Sequence, residues 1–303
     1  MSKRAALQAL AGVITLAAVF GWSVAAYAQG MEKIKLALHW NAPTHQFIHY
    51  YAAIKLGFFK EQNLDVELAT LPGSVPAVLA VNSGDAQIGQ ASGDAILVNL
   101  VNGAPLKIVF LLFQQTPTGV IVFENSGIKN FAGLRGKTVS TAVASPEGIM
   151  LNAHLRDAGL NPEKDLRILN VAPGAKLTMQ LTGQADASTG FADYQYIQAQ
   201  MAGHKVSFLP FSTNEAPLYG HAVFANSSWL EKHPDTMRRF LTATLRGLAW
   251  AHDNIDKAVD MVVGWDPTVK IDPVFTKRGL EVILNEVVPS ALTAKSGIGR
   301  MEG

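Results

Sequence analysis

Hydrophobic and polar positions along the chain follow two periods, and segments of the two kinds alternate. Residues 34–38 alternate with a period of two, which predicts a strand. Residues 47–56 carry the spacing of a helix that stops at Gly57, the residue type that usually follows a helix end. The later strand and helix signals of this first cycle lie at residues 66–71, 75–82, 86–89, 94–102 and 106–112. Strands alternating with helices of these lengths indicate βαβ units and a mostly parallel sheet.

A second cycle of the same order begins after Thr116-Pro117-Thr118. Its predicted elements are strands at residues 119–123, 137–141, 166–170 and 185–189 and helices at 145–158 and 176–183. The last third is mainly helical, with signals at residues 228–250, 255–263 and 273–286. The repeated order predicts two α/β lobes, with the helical tail packed back on the first lobe.

The N-terminus has the order of a bacterial secretory signal. Lys3 and Arg4 give a basic start, residues 5–24 are almost entirely apolar, and Ala26-Tyr27-Ala28 follows as a small-residue cleavage site. We therefore expect residues 1–28 to be a cleavable signal peptide and the protein to be periplasmic. The alternative is an uncleaved membrane anchor, because the apolar run is nearly long enough to span a bilayer.

Composition narrows the possible functions. The 303 residues carry a formal charge of +1 with 49% hydrophobic and 16% charged residues, which favours a folded chain and gives no basic footprint for nucleic acid. The chain has no cysteine, which excludes disulfides, thiolate metal sites and cysteine nucleophiles. It shows no nucleophile elbow, no GxxxxGK phosphate loop and no paired carboxylates at a telling spacing. We expect no enzyme activity and no cofactor.

The stretch HWNAPTHQFIHYY, residues 39–51, concentrates side chains that can bind ligands, with three histidines, one tryptophan and two tyrosines. His45 and His49 are four apart, which on a helix would put both rings on one face, as a zinc pair needs. A zinc site also needs a third ligand, and the eight histidines are scattered, so we expect no metal. Trp40 follows the first predicted strand, where a flat indole offers a stacking face, and His45 lies in a strand-to-helix loop. We interpret the stretch as the wall of a ligand pocket.

Loops that follow strands should line that pocket, because ligands of open α/β sheets bind beyond the carboxyl ends of the strands. Backbone N–H groups at the helix start Gly73-Ser74 are candidates to hold a ligand oxygen. The remaining candidates from loops and crossings are Ser92, Asp94, Gln115, Thr116, Ser145, Glu147, Asp193, Tyr194 and Tyr219. None is Arg or Lys, which a bare anion usually favours, so the set indicates a small nitrogen heterocycle or aromatic solute.

The motifs taken together resemble a known family. Their order and spacing are similar to the NMT1/THI5-like group of periplasmic solute-binding proteins of ABC importers, which is related to nitrate, sulfonate and taurine binders. The resemblance covers residues 34–303 and is carried by Pro43-x-x-Gln46-Phe47-x-x-Tyr50-Tyr51, Gly57-Phe58-Phe59-Lys60, Gly73-Ser74-Val75-Pro76, Ser83-Gly84-Asp85-Ala86, Gly103-Ala104-Pro105-Leu106, Ser126-Gly127-Ile128 and Leu230-x-x-His233-Pro234-Asp235.

The resemblance implies a type II periplasmic binding fold with ligand clamped between two lobes. Lobe one would comprise residues 31–116 and 218–303, and lobe two residues 117–217. The expected hinge segments are residues 114–118 and 211–219. The resemblance also adds Gln46 and Tyr50 to the ligand-binding candidates. It implies a monomer that delivers its solute to a permease in the inner membrane, or hands it to a sensor. Family members usually continue some tens of residues past the match to residues 297–302, so the resemblance implies either a truncated chain or a lobe one that lacks the final helix.

The family also contains an enzyme branch that makes the thiamine pyrimidine. That branch uses a histidine near this stretch, a nearby lysine and a cysteine-rich iron motif. Here Gln46-Phe47 stands where the family has an Asn-His pair, and cysteine is absent. The resemblance therefore implies binding rather than catalysis, of a pyrimidine thiamine precursor or a flavin-like compound. The alternatives are a sulfonate-, nitrate- or taurine-type anion binder and a pyrimidine-synthesis enzyme.

Overall fold

The computed structural model describes residues 30–143, 145–212, 218–289, 293 and 297–299. The predicted signal segment lies outside the described residues. Two five-stranded sheets, each flanked by helices, form two lobes. Both sheets are mixed, and four of the five strands in each run in the same direction, so the prediction of two α/β lobes with mostly parallel sheets is confirmed.

The first sheet has the strand order β2-β1-β3-β10-β4. Its members are β1 (Glu32–Leu38), β2 (Leu64–Thr70), β3 (Ile88–Ser92), β4 (Leu106–Leu111) and β10 (His221–Asn226). Strands β2, β1 and β3 pair in parallel, whereas β10 is antiparallel to both of its neighbours. The sequence patterns did not predict β10, of which all but the last residue are buried.

The second sheet has the order β7-β6-β8-β5-β9. Its members are β5 (Thr118–Phe123), β6 (Thr138–Thr141), β7 (Arg167–Asn170), β8 (Ala187–Phe191) and β9 (Val206–Pro210), of which β9 was also missed. Here β5 is the strand that runs against both of its neighbours. In each sheet the reversed strand is thus the one that enters from the other sheet, and each sheet keeps four strands running the other way.

Most helices fall close to their predicted positions, but residues 58–61 and 195–201 were not predicted to be helical, and the helix predicted at 228–250 is divided at His233. The helices are α1 (Ile48–Lys55), α2 (Phe58–Glu61), α3 (Ser74–Ser83), α4 (Gly93–Val101), α5 (Pro146–Asp157), α6 (Lys176–Leu181), α7 (Gln195–Met201), α8 (Ser227–Lys232), α9 (Pro234–Asp253), α10 (Ile255–Val263) and α11 (Pro273–Val282). A 3-10 turn, His45–Phe47, precedes α1, and a π-helical turn, Ile283–Val287, follows α11. No helix in the described part of the chain is long and apolar enough to cross a membrane.

Two chain crossings join the sheets, and they lie side by side. The first runs from β4 to β5 and the second from β9 to β10, of which residues 213–217 are not described. The Thr116 N–H donates to the Leu218 carbonyl at 2.7 Å, and the Gly220 N–H donates to the Phe113 carbonyl at 3.0 Å. Because β4 and β9 both end at the crossings, the carboxyl edges of the two sheets face each other there.

Each lobe has its own apolar core. In the first lobe, fully buried side chains of β1, such as Leu36, pack with Tyr50 of α1 and Phe240 of α9. Helices α1 and α9 approach so closely that a Cβ on Gly247 would lie 2.1 Å from the His49 carbonyl oxygen. The helical tail therefore packs on the first lobe, as predicted. In the second lobe, buried residues of β5, β6 and α5 form a separate cluster.

Candidate functional site

A buried carboxylate links the two lobes at the edge where the sheets face each other. Asp193 belongs to the second lobe and is 0% exposed. Its Oδ2 accepts a hydrogen bond from the Gln46 side-chain amide at 2.6 Å and lies 3.1 Å from Nε2 of His45, both in the first lobe. Its buried Oδ1 has no hydrogen-bond partner among the residues that the structure describes. Asp193 lies about 150 positions after His45 and Gln46 in the sequence, and these three predicted residues meet between the lobes.

Local structure places each of these groups at a strand end. Asp193 comes two residues after β8, and the turn with His45 and Gln46 follows β1, so both project from carboxyl edges. The Thr44 side chain starts that turn by accepting from the Gln46 backbone N–H at 3.4 Å. Gly279 of α11 makes room for the imidazole, because a Cβ there would lie 2.5 Å from His45 Nε2.

Aromatic rings from both lobes stand beside the carboxylate. Trp40, at the carboxyl end of β1, is 46% exposed, and its ring centroid lies 6.4 Å from that of Tyr194 at an interplanar angle of 58°. Phe275 of α11 meets Tyr194 edge to face at 5.0 Å and lies 5.8 Å from His45. The exposure of nearly half of Trp40 does not fit a fully buried core plug, and its role as a ligand contact stays a prediction.

Behind Gln46, a chain of polar side chains runs into the first lobe. His39 Nε2 lies 3.3 Å from Gln46 Oε1, and its Nδ1 lies 3.3 Å from the Gln90 backbone oxygen. His49 Nε2 lies 3.1 Å from the Gln90 side-chain oxygen, and the His221 ring lies 4.0 Å from that of His39. Because the Gln46 amide donates to the carboxylate, its oxygen is left to accept from His39, and a neutral His39 with its proton on Nε2 has none on Nδ1 to donate to the Gln90 carbonyl.

These inner histidines are neutral at pH 7. Burial lowers the pKa of His39 to about 4 and that of His49 to about 3, although hydrogen bonds to Gln46 and Gln90 act in the opposite direction. Burial, together with His39 and His49, also holds the pKa of His221 well below its ordinary value. The Nδ1 of His221 and the side-chain nitrogen of Gln90 have no hydrogen-bond partner.

The zinc pair that the spacing of His45 and His49 would allow on a helix does not form. His45 points between the lobes toward Asp193, whereas His49 points into the first lobe toward Gln90. The reason is that His45 lies in a 3-10 turn and His49 in the α-helix that follows, so the helical four-residue relation does not hold between them. Within the described residues, no group of three or more His, Asp or Glu side chains is placed to hold a metal ion.

Tyr50 was wrongly included among the ligand-binding residues. It is 0% exposed in the core of the first lobe, where its ring lies 6.0 Å from that of Phe240. Its hydroxyl has no hydrogen-bond partner, and burial raises its pKa far above the ordinary value. The helix phase of α1 turns this face toward α9 rather than toward the cleft.

Glu147 was also predicted to face the ligand, and the structure places it in a buried ion pair. Its Oε1 lies 3.0 Å from Nζ of Lys176, which is 1% exposed, and its Oε2 accepts from the Ser145 hydroxyl. Ser145 also caps α5 by accepting from the Gly148 N–H. Both carboxylate oxygens are thus occupied by groups of the same lobe, so Glu147 is corrected from a ligand contact to a partner of Lys176.

Polar groups at the helix starts of the first lobe are partly engaged in hydrogen bonds within the protein. The Gly73 N–H donates to the Leu71 carbonyl at 2.9 Å, so this group is not free to hold a ligand oxygen, contrary to the prediction. The Ser74 hydroxyl accepts from the Ser92 N–H at 3.1 Å and ties α3 to β3. Gly73, not Ser74, occupies the N-cap position. Asp94 lies half-buried in the first turn of α4.

The remaining candidates lie at the crossings. The Gln115 N–H donates to the Val287 carbonyl at 3.2 Å, and the Thr116 hydroxyl lies 2.8 Å from that of Thr118. Tyr219 is half-buried and packs on the small apolar cluster of the first lobe. Their backbone and side-chain contacts place all three at the joint between the lobes, where they would change their environment when the lobes move.

Sequence reasoning missed several residues of the site. Phe275 lies in a helix about 230 positions after the opening stretch, and nothing local marks it as a neighbour of His45. Lys176 begins a helix that follows a strand. Ser145 was selected because of the same position, so the same criterion would also have selected Lys176. His221 belongs to the strand that the patterns did not reveal.

Two lobes with facing carboxyl edges, two crossings and a polar, aromatic site between them define a two-lobed periplasmic solute-binding fold. The chain belongs to the NMT1/THI5-like family, whose model matches residues 44–258. The resemblance drawn from the motifs is thereby confirmed. The fold is similar to that of the periplasmic aliphatic sulphonate binding protein SsuA from Escherichia coli, with a TM-score of 0.71 at 20% identity over 82% of this chain and 83% of that one.

The curated relatives include binding proteins and enzymes. The riboflavin-binding protein RibY of Chloroflexus aurantiacus is 23% identical over 90% of this chain and 78% of its own length. The formylaminopyrimidine-binding protein of Halalkalibacterium halodurans is 23% identical over 78% of this chain and 71% of its own. The 4-amino-5-hydroxymethyl-2-methylpyrimidine phosphate synthase THI13 of Saccharomyces cerevisiae is 24% identical over 80% and 73%.

Proposed function

We propose that this protein is the secreted solute-binding component of an ABC importer and that it binds a small nitrogen heterocycle or another flat aromatic solute between its lobes. The observation that carries the proposal is the pairing of Trp40 with Tyr194 across the cleft, directly beside the buried Asp193. Stacking faces on both lobes, with an acceptor at their edge, suit a planar ring that carries N–H groups.

The geometry indicates how such a ring would enter. A ring stacked between two parallel faces needs about 7 Å between them, since carbon atoms in contact lie about 3.5 Å apart. Trp40 and Tyr194 are 6.4 Å apart and tilted by 58°, so the lobes have to part before the ring slides in. The Oδ1 of Asp193 then supplies an acceptor for a ring N–H or an exocyclic amine. Such parting is natural for two lobes joined by two crossings.

Two of the relatives are named for heterocyclic solutes, riboflavin and formylaminopyrimidine, which supports this class of ligand. An anionic solute such as a sulfonate is less well supported, because the buried cation Lys176 is already matched by Glu147. Catalysis of the pyrimidine-synthase type is disfavoured by the absence of cysteine and by Gln46-Phe47 in place of the family's Asn-His pair.

The test is to identify the solute that leaves the purified protein on denaturation. We expect mass spectrometry to find one flat nitrogen-containing compound in amounts close to the protein concentration, and to recover it unaltered after incubation with the folded protein. The Trp40→Ala variant, purified in parallel, should carry much less of it. Conversion of the compound during incubation would support an enzyme instead, and equal occupancy of the variant would remove the aromatic site.

The proposed periplasmic location and permease partner have their own check. Expressed from its own N-terminus in a bacterial host, the protein should appear in the periplasmic fraction with its mass reduced by residues 1–28. Retention of the intact segment in the membrane fraction would favour the anchor. The permease is tested by loss of solute uptake when the gene is deleted.

A further inference from the structure

The carboxylate of Asp193 is buried, and only one of its two oxygens is hydrogen-bonded within the described residues. It is 0% exposed, and its one ion-pair contact among the described residues is His45, at 3.1 Å. The other hydrogen bond to Oδ2 comes from Gln46, which is neutral, and Oδ1 receives none. A buried ionised carboxylate is strongly unfavourable unless it is both paired and hydrogen-bonded, and one of its two oxygens has neither kind of partner.

Among the described residues, the elements packed around Asp193 place no lysine or arginine in hydrogen-bond contact with its carboxylate. The charged and titratable groups on them are His45, His39 behind Gln46, exposed Lys277 and Arg278 of α11, and the buried pair of Lys176 with Glu147. His39 is held neutral by burial, and Lys277 pairs with Asp256 at 2.7 Å. The start of α7, a helix of seven residues, contributes at most about half a positive charge, screened by solvent.

We propose that the ligand is a cation, a flat nitrogen base bound in its protonated form, with one N–H donated to Oδ1 of Asp193. This ligand class rests on the proposed function, which makes the site between the lobes the binding site. Amidines, aminopyridines and related bases have the required shape, because their charge is spread over a planar group that carries N–H donors.

The aromatic pair, Trp40 and Tyr194, independently favours a cationic ligand. The faces of Trp40 and Tyr194 are negative, and a cation over such a face is attracted to it, most strongly over an indole. A protonated planar base would therefore be held by the rings through its face and by the carboxylate through its edge. An anion at the same place would meet the carboxylate and both ring faces with unfavourable electrostatics.

The experiment compares three flat probes of nearly equal shape: benzamidine, which is protonated at neutral pH, neutral benzamide and anionic benzoate. Ligand-observed NMR and calorimetry are run on the ligand-free full-length mature protein, on Asp193→Asn and on Asp157→Asn, a matched change at an exposed position of the same lobe. We expect benzamidine to bind about tenfold or more tightly than benzamide to the wild type and to Asp157→Asn, a difference of about 1.4 kcal/mol or more. The preference should disappear in Asp193→Asn.

Each other outcome has a distinct meaning. Equal or tighter binding of benzamide or benzoate to the wild type overturns the cationic ligand but leaves the aromatic site in place. Failure of all three probes to bind at millimolar concentration contradicts the aromatic site itself and therefore the proposed function. If calorimetry in two buffers of different ionisation enthalpy shows uptake of one proton with benzamide, a group of the protein supplies the missing proton and the proposal falls. The wild-type comparison decides the matter even if Asp193→Asn does not fold.

Discussion

Replacement of Trp40 by alanine tests the aromatic wall most directly. If the indole stacks on the solute, Trp40→Ala should weaken binding by about 1–3 kcal/mol, the scale of one lost aromatic stack, which is roughly fivefold to 150-fold in Kd. The same change should also destabilise the fold. Full burial of a tryptophan is worth about 3–5 kcal/mol on replacement by alanine, and with 46% of Trp40 exposed we expect about half of that, ~2 kcal/mol.

Because the two effects are similar in size, both have to be measured on the same variant. Calorimetric titration with the recovered solute gives the affinity, and urea denaturation gives the free energy of unfolding. Trp229→Ala is the matched control, since Trp229 is also half-buried, is stacked on His233 and lies in α8 at the opposite edge of the first sheet. It should lose stability and keep its affinity. Trp40→Phe should recover part of the lost affinity, because a smaller ring still offers a face.

The outcome that refutes the stacking role is plain. If Trp40→Ala binds the solute with the affinity of the wild type while its free energy of unfolding falls, the ring only packs between the lobes. The aromatic character of the ligand would then lose its main support, although the carboxylate of Asp193 would still require a donor.

Three further predictions follow from the structure. Binding should close the lobes about the crossings, so small-angle scattering should show a smaller radius with solute, and an unchanged radius at saturation would contradict the hinge. EDTA should alter neither the melting temperature nor the affinity, and a drop that zinc restores would revive a metal role for the histidines. Stability should fall as the pH drops from the unfolded histidine pKa of 6.5 toward the folded values of about 4 for His39 and 3 for His49, because the unfolded chain binds protons that the folded chain excludes. For His39 alone the loss should be on the order of 3 kcal/mol, and His39→Gln should flatten a urea-denaturation series over that pH range.

The sequence determined the secondary structure where one face of an element is buried. The period of two at residues 34–38 and the helical spacing at 255–263 gave elements that the structure reproduces to within two residues. Alternation is a consequence of one-sided burial, so it fails for β10, whose first five residues are all buried. Trp40, Asp193 and Tyr194 were selected because they follow predicted strands. The carboxyl ends of parallel strands meet at one edge of a sheet, where ligands of such folds bind.

Only the tertiary structure decided which of these residues meet. His45 and Asp193 are 148 positions apart, and they touch because the crossings turn two separate sheets edge to edge. The opposite directions of His45 and His49 depend on a single 3-10 turn, which shifts the helix phase and which no hydrophobic period records. Asp193 keeps one oxygen without a hydrogen bond, whereas Glu147 is paired with Lys176. This difference depends on which groups the fold brings within hydrogen-bond distance. Short-range sequence patterns carry no information about such distant contacts.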